Sequence, residues 1–542
     1  MALTQEQTRS TAAADMGRSG DDLVVGDAPT RDRQTGLFVL LGAIGFLGMA
    51  IISGAGVILG APGTGSSLER RAVALAPSGA AGTAVGTVAL VVGLAAVGGS
   101  WIAIGFVLRR GAPLRPLVAI SALWATPLLF GPPIFSRDVY SYAADGLMVS
   151  RHLEPNRYGP ATLGGTHFLD PVSHVWLNTP SPYGPLFLRI AGWIVPTSHY
   201  SLVGTVVLLR LVAVLGVVLM GIALPKLAGA LGKDPARAFW LGVCNPLVLI
   251  HFIAGAHNDS LMVGLMVAGL ALAALKRPVA GILLCVLGAT VKAPAALAAV
   301  FIIAETVRAL PRKKRLATLI RLTGISLGAF ALVTWATQLG WSWIGALGVP
   351  GVNRSLLTPS TFAAHYLSMA FGHNATMLSL TRGVSLLLTA VGVAYLLWRA
   401  PRFGTVRACG YALALVVALG PIVLPWYALW ALVVLAAAGD DWDQVYAVIA
   451  TIVFLIVLQP SGSTMPDPML EITVVVLSVT AFLIAFGPTR RWMGREVAAL
   501  VDDYRTLGAA GPFLGVSRRV AGRVSHYRTG TSAVANRSDS VV

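Results

Sequence analysis

The densest run of chemically able side chains is Phe135-Ser136-Arg137-Asp138-Val139-Tyr140-Ser141-Tyr142-Ala143-Ala144-Asp145-Gly146, directly after an apolar stretch. On a helix, Asp138, Tyr142 and Asp145 stand at i, i+4 and i+7 and share one face. A carboxylate at a membrane mouth, partly stripped of water, suits a general base for a sugar hydroxyl. The plainer reading is that Asp138 caps a helix starting at Val139. His257-Asn258-Asp259 separates two further apolar stretches. It suits contact with a polar substrate or a phosphate-bound cation, and equally a tight turn with Asp259 as its N-cap. Asn156 and Tyr183 fall in segments rich in Pro and Tyr, Leu153–Tyr158 and Asn178–Leu186. Such side chains contact sugars, and they also order loops by packing on a membrane.

Three cations stand out. Arg210 lies inside an apolar stretch, Lys292 just before Pro294, and Arg354 after Gly351-Val352-Asn353. An intramembrane cation is costly, so neutralising a lipid phosphate is one reading and snorkelling to the headgroups the other. Asp440-Asp441-Trp442-Asp443 contains the DxD pattern of sugar-nucleotide transferases. It sits in a loop of about five residues with no nucleotide-binding domain around it, and reads as a solvated loop. Cys244, Cys285 and Cys409 each lie in an apolar run, without CxxC spacing, and read as small buried hydrophobes.

The elements that must position these residues are membrane helices. Of 542 residues 56% are hydrophobic and 12% charged, with mean hydropathy +0.76. A soluble domain carries about 25% charge. Apolar spans fall at roughly 36–60, 84–107, 114–131, 201–224, 237–255, 259–275, 279–304, 317–340, 381–398, 405–424, 426–438, 444–459 and 470–487. Each must be helical, because lipid offers no partner to an open backbone amide. The net charge of +17 sits in short loops and in the two tails, which is the positive-inside pattern rather than a nucleic-acid surface.

That charge pattern sets the topology. Lys276 and Arg277 precede the span 279–304, and Arg308, Arg312, Lys313, Lys314 and Arg315 follow it, so both ends are cytoplasmic. The span must go in and return, turning near Val291-Lys292-Ala293-Pro294 as two short helices or a re-entrant pair. The result is an all-α polytopic protein of about 13 or 14 crossings. Both termini are cytoplasmic: a tail over 1–35, a membrane domain over 36–487, and a basic tail over 488–542 that can lie partly on anionic lipid. Outer loops are expected at 132–200, 341–380 and 459–470, the first the longest. No internal repeat points to a transporter of duplicated halves.

Three motifs in order, Ser136-Arg137-Asp138-Val139-Tyr140-Ser141-Tyr142, Ser181-Pro182-Tyr183-Gly184-Pro185-Leu186 and His257-Asn258-Asp259-Ser260-Leu261-Met262, resemble the polyprenol-phosphomannose-dependent α-1,6-mannosyltransferases of mycobacteria and corynebacteria. These belong to the GT-C class of membrane glycosyltransferases, and the resemblance runs over about 36–490. It implies a GT-C-like bundle in the plasma membrane with its active site outside. It also implies a polyprenyl phosphate mannose donor and a lipid-linked α-1,6-mannan acceptor of lipomannan or lipoarabinomannan. The family's acidic residue in the first outer loop matches Asp138.

A β-linked donor giving an α-linked product requires inversion, with one base and no covalent intermediate. Asp138 is then the expected base, and Lys292, Arg210 and Arg354 the expected phosphate ligands. Arg137, Tyr140, Tyr142, Asp145, Asn156, Tyr183, His257, Asn258 and Asp259 are the expected substrate contacts. No cofactor or metal is required, although Asp145 or Asp259 could hold a divalent cation. Two rival readings stay open: a transporter or lipid flippase, and a transferase of the same class using another polyprenyl phosphate sugar.

Overall fold

The computed structural model describes residues 31–61, 67–108, 111–352 and 358–456. Arg354, the loop 459–470, the span 470–487, the C-terminal tail and most of the N-terminal tail lie outside them. Residues 36–490 form one compact unit. Of residues 1–35 only the first turns of α1, from Arg31, are described.

Every described element is helical. In chain order they are α1 (Arg31–Ile58), α2 (Ser67–Leu75), α3 (Gly79–Val107), α4 (Leu114–Phe130), α5 (Asp138–Ser150), α6 (His174–Leu177), α7 (Pro185–Thr197), α8 (Leu202–Ala230) and α9 (Pro235–Gly242). Then come α10 (Pro246–Val248), continued by a π-helical turn over Leu249–Ala254, α11 (Asp259–Ala274), α12 (Pro278–Ala289), α13 (Ala295–Arg308) and α14 (Arg312–Thr337). After 3-10 turns over Ser342–Val352 follow α15 (Pro359–Phe371), α16 (Asn374–Phe403), α17 (Thr405–Ala418), α18 (Pro425–Ala438) and α19 (Asp441–Ile456).

Five of these helices, α1, α3, α8, α14 and α16, are long and apolar enough to cross a membrane. A sixth crossing is possible if α9 and the helix over Pro246–Ala254, bent by 47° at the break, count as one. This defines an all-α polytopic membrane protein. By length alone the described helices account for five or six of the expected crossings, because the other apolar helices have 10–17 residues. A helix of 12 residues such as α12 rises only about 18 Å, short of a hydrocarbon core of about 30 Å.

The predicted break in 279–304 is present. Helix α12 ends at Ala289 and α13 begins at Ala295, with Lys292 in the turn between them. The end of the first long loop is stitched to this turn: Gly184 N–H donates to the Val291 carbonyl at 3.0 Å and Leu186 N–H to the Thr290 carbonyl at 3.0 Å. Gly184 permits the approach, since a Cβ there would stand 2.2 Å from the Thr290 carbonyl oxygen. Helices α8 and α11 also pack backbone to backbone, where a Cβ on Gly216 would meet the Ser260 backbone at 2.3 Å. Small residues that let helices approach closely are how helices associate in lipid, where no hydrophobic drive separates one apolar surface from another.

Trp101 on α3 and Trp240 on α9 stack with centroids 4.9 Å apart. Each indole N–H donates to the other residue's carbonyl, at 3.1 and 2.8 Å. This closes two buried donors and fixes the register of α3 against α9.

Candidate functional site

Asp138 opens α5, its backbone N–H accepted by the Ser136 hydroxyl at 3.1 Å. The expected shared face is formed, since Asp138, Tyr142 and Asp145 all lie on this helix. Burial pushes the Asp138 carboxyl up to about 6. The Lys292 ammonium opposes that rise, Asp259 adds to it, and the Ser136 hydroxyl and Trp176 indole favour the ionised form. Two turns further along α5, burial raises Asp145 to about 7; the Ser181 hydroxyl opposes the rise and the charge of Asp138 adds to it.

The turn before α11 brings His257, Asn258 and Asp259 to this face, all of them buried. His257 Nδ1 stands 3.6 Å from Asp138 Oδ2 and 3.4 Å from the Tyr142 hydroxyl. That hydroxyl donates to Asn258 Oδ1 at 3.4 Å, so its oxygen is left to accept from the imidazole. His257 Nε2 is buried without a partner, against Gly255, where a Cβ would come within 3.2 Å of it. A buried orphan N–H is rarer than a buried orphan acceptor. The network therefore assigns the proton to Nδ1, facing Asp138.

Lys292 reaches the same centre from the α12–α13 turn. Its ammonium donates to both oxygens of Asp259 at 2.9 Å, and Trp430 Nε1 donates to Asp259 Oδ1 at 2.6 Å. Aromatic rings wall the cation: Tyr427 at 4.3 Å, Trp430 at 5.3 Å and Tyr183 at 5.7 Å. Two of its three N–H groups are thus spoken for and one stays available. Tyr183 meets Tyr142 edge to face at 4.9 Å and so joins the Lys292 side of the site to the Asp138 side.

Other expected contacts lie elsewhere. Arg210, an expected phosphate ligand, is held by backbone carbonyls. Its guanidinium donates to the carbonyls of Leu129 at 2.7 Å, Gly131 at 2.9 Å and Ala254 at 3.2 Å. These close the end of α4 and of the π-helical turn. Asn156 is likewise a clamp rather than a free ligand, its amide donating to the Ser181 and Tyr183 carbonyls at 2.7 and 3.0 Å. Tyr140 is buried on α5 within electrostatic reach of Arg210, on the face away from Asp138. Arg137 is half-buried, and its carbonyl accepts from Tyr140 N–H at 3.1 Å. Arg354 falls outside the described residues.

Asp259, one of two carboxylates expected to be open to a divalent cation, is engaged by Lys292 and Trp430. No three His, Cys, Asp or Glu side chains converge on a point among the described residues. Around the DxD pattern, Asp440 and Asp443 are engaged within the protein. Arg407 pairs with Asp440 at 2.5 Å and with Asp443 at 2.6 Å, and Asp440 Oδ1 accepts from the Trp442 and Asp443 amides at the start of α19.

Trp426, Tyr427 and Trp430 on α18, with His251 on the π-helical turn, belong to the centre and are missing from the expected set. Trp426 stacks on His257 at 4.1 Å, and His251 packs 5.9 Å from His257. The signal available was Pro425-Trp426-Tyr427 with Trp430 four residues after Trp426, an aromatic stripe opening an apolar helix.

The described fold and its enclosed centre define a polytopic helical membrane protein with acidic, imidazole and ammonium groups gathered beside a long loop. A family model described as "Alpha-(1->6)-mannopyranosyltransferase, N-terminal domain" matches residues 42–308, and one described as "MptB C-terminal domain" matches 358–487. The probable alpha-(1->6)-mannopyranosyltransferase of Mycolicibacterium smegmatis is 37% identical over 58% of this chain and 64% of its own length. Alpha-(1->6)-mannopyranosyltransferase A of Mycobacterium tuberculosis is 34% identical over 67% of this chain and 73% of its own. The A enzyme of Corynebacterium glutamicum is 34% identical over 56% and 66%. No solved structure matches. The chain belongs to the alpha-(1->6)-mannopyranosyltransferase family, and it spans just under two thirds of the length of the M. smegmatis relative.

Proposed function

We propose that the protein is an inverting mannosyltransferase, moving mannose from polyprenyl phosphate mannose to a lipid-linked α-1,6-mannan on the outer face of the plasma membrane. The observation that carries this is the convergence of Asp138, held near His257 Nδ1 at 3.6 Å, with a Lys292 ammonium anchored to Asp259 at 2.9 Å. Asp138 takes the proton from the acceptor 6-hydroxyl. The oxygen attacks the anomeric carbon as the bond to the phosphate breaks, and the electron pair leaves on the polyprenyl phosphate. The third N–H of Lys292 donates to that phosphate as its charge grows, in a site shielded from water by aromatic rings. His257 fixes one Asp138 oxygen and leaves the other to the substrate; its 3.6 Å contact closes when substrate excludes water.

Asp138 then comes from the start of the short helix α5 and Lys292 from the turn between the short helices α12 and α13, with the prenyl chain between helices. Membership of the family and the relatives' names support mannose as the sugar. Lys292 supplies the positive charge a metal would otherwise bring, so EDTA is expected to leave the rate unchanged. The test is a panel of polyprenyl phosphate sugars offered to purified protein. An α-1,6-linked product from the mannose donor alone supports the reading. Equal transfer of arabinose, or retention of the β configuration, overturns it.

A further inference from the structure

The first long loop and the 3-10 turns after α14 face each other across a cleft of about 410 Å³, within the range of about 300–1,000 Å³ that small ligands fill. Asn156, Arg157 and Pro180 line one wall, and Trp341, Ser342 and Gly345 the other. Trp341 is half-exposed at 51%. Glu154 holds the Arg157 guanidinium at 3.4 Å, while that side chain stays 59% exposed and keeps donors to spare. The Ser342 hydroxyl is buried with no partner. The floor is rigid, because Asn156 ties the backbone on which Ser181 and Tyr183 sit.

We propose that this cleft is a second carbohydrate subsite, taking a mannosyl unit of the acceptor upstream of the one that reacts. An indole surface, a forked donor and an unpaired hydroxyl fit a neutral polyol, with C–H faces against the ring and hydroxyls on the polar groups. A phosphate ligand would call for more than one cation, and Arg157 is already partnered by Glu154. A prenyl chain would find polar walls. One stretch of loop joins the cleft to the catalytic centre: Pro180 lines the cleft, and Tyr183, three residues on, packs against Tyr142 and beside the Lys292 ammonium. A linear mannan with its end at Asp138 would lie along this path. The inference rests on the proposed function for the identity of the sugar.

The test compares wild type with Trp341→Ala and Arg157→Gln, full-length and in detergent, on lipid-linked acceptors of two and of four α-1,6-mannosyl units. Wild type is expected to prefer the longer acceptor. Trp341→Ala is expected to lose about tenfold in kcat/KM on it, through KM, and so to lose that preference, with the donor KM unmoved. Equal losses on both acceptors, or no loss on the longer one, overturn the subsite. Saturation-transfer NMR with free α-1,6-mannotetraose and the Asp138→Asn protein reads the cleft without turnover. Binding that Trp341→Ala weakens supports the subsite even if wild type transfers no mannose, and that last result would overturn the proposed function alone. Binding that Trp341→Ala leaves unchanged overturns the subsite.

Discussion

Asp138 must be ionised to take a proton, and burial raises it to about 6. The rate should therefore be full above neutral pH and fall as pH drops through about 6. The groups around this carboxyl include Lys292, Asp259, Ser136, Trp176, Asp145, the His257 N–H and the hydroxyls of Tyr142, Tyr183 and Tyr427. Removing a donor to the charged form raises an acid's pKa. His257→Ala should thus move the acidic limb of the kcat profile to higher pH and lower kcat. His257→Asn, which keeps an amide N–H near Nδ1, should restore part of both. A limb that stays in place in His257→Ala would deny His257 its positioning role. At this scale, polar residues that interrupt apolar text marked Asp138, Tyr142, His257 and Lys292, and the fold brings these four together. The sequence was silent on Trp426, Tyr427 and Trp430, because aromatic residues at helical spacing look like ordinary core. It left Arg210 open, because an intramembrane guanidinium can serve backbone carbonyls, as it does here, as well as phosphate, and no local pattern separates the two.

Helices position the centre through their ends. Asp138 opens α5, Asp259 opens α11, and Lys292 sits between α12 and α13. The break at 290–294 followed from charge alone, since one crossing cannot begin and end on the same side. The bend between α9 and the π-helical turn had no such signal, as 237–255 reads as one apolar run. Arg210 on α8 ties the end of α4 to that turn through three carbonyls. Arg210→Met should cost about 1–3 kcal/mol of stability, the range for a buried acceptor left unpaired, seen as a lower Tm. The KM for donor should stay within about twofold of wild type, a factor well under the tenfold that 1.4 kcal/mol represents. A large rise in donor KM at unchanged Tm would return Arg210 to the phosphate.

At the scale of the unit over 36–490, the long helices α14 and α16 are almost entirely uncovered by the described residues, with 6% and 0% of their apolar windows buried. In a membrane such faces meet lipid, the medium from which a prenyl-linked donor would arrive. The class of the fold was legible from hydropathy and charge because lipid forces each apolar span to be helical. Helix lengths were less legible, since apolar text continues through turns such as 290–294. On the proposed sidedness, a reporter fused after Gly351 should be active outside the cell, and cytoplasmic activity there would place the centre away from its donor.

The proposed transfer depends most on the Asp138 carboxylate. Single-turnover transfer from radiolabelled polyprenyl phosphate mannose by purified Asp138→Asn protein tests it directly, with donor binding measured on the same sample. Donor binding within about twofold of wild type, with transfer down by about a hundredfold or more, the low end of what a general base contributes, is the predicted result. Transfer at the wild-type rate would contradict it.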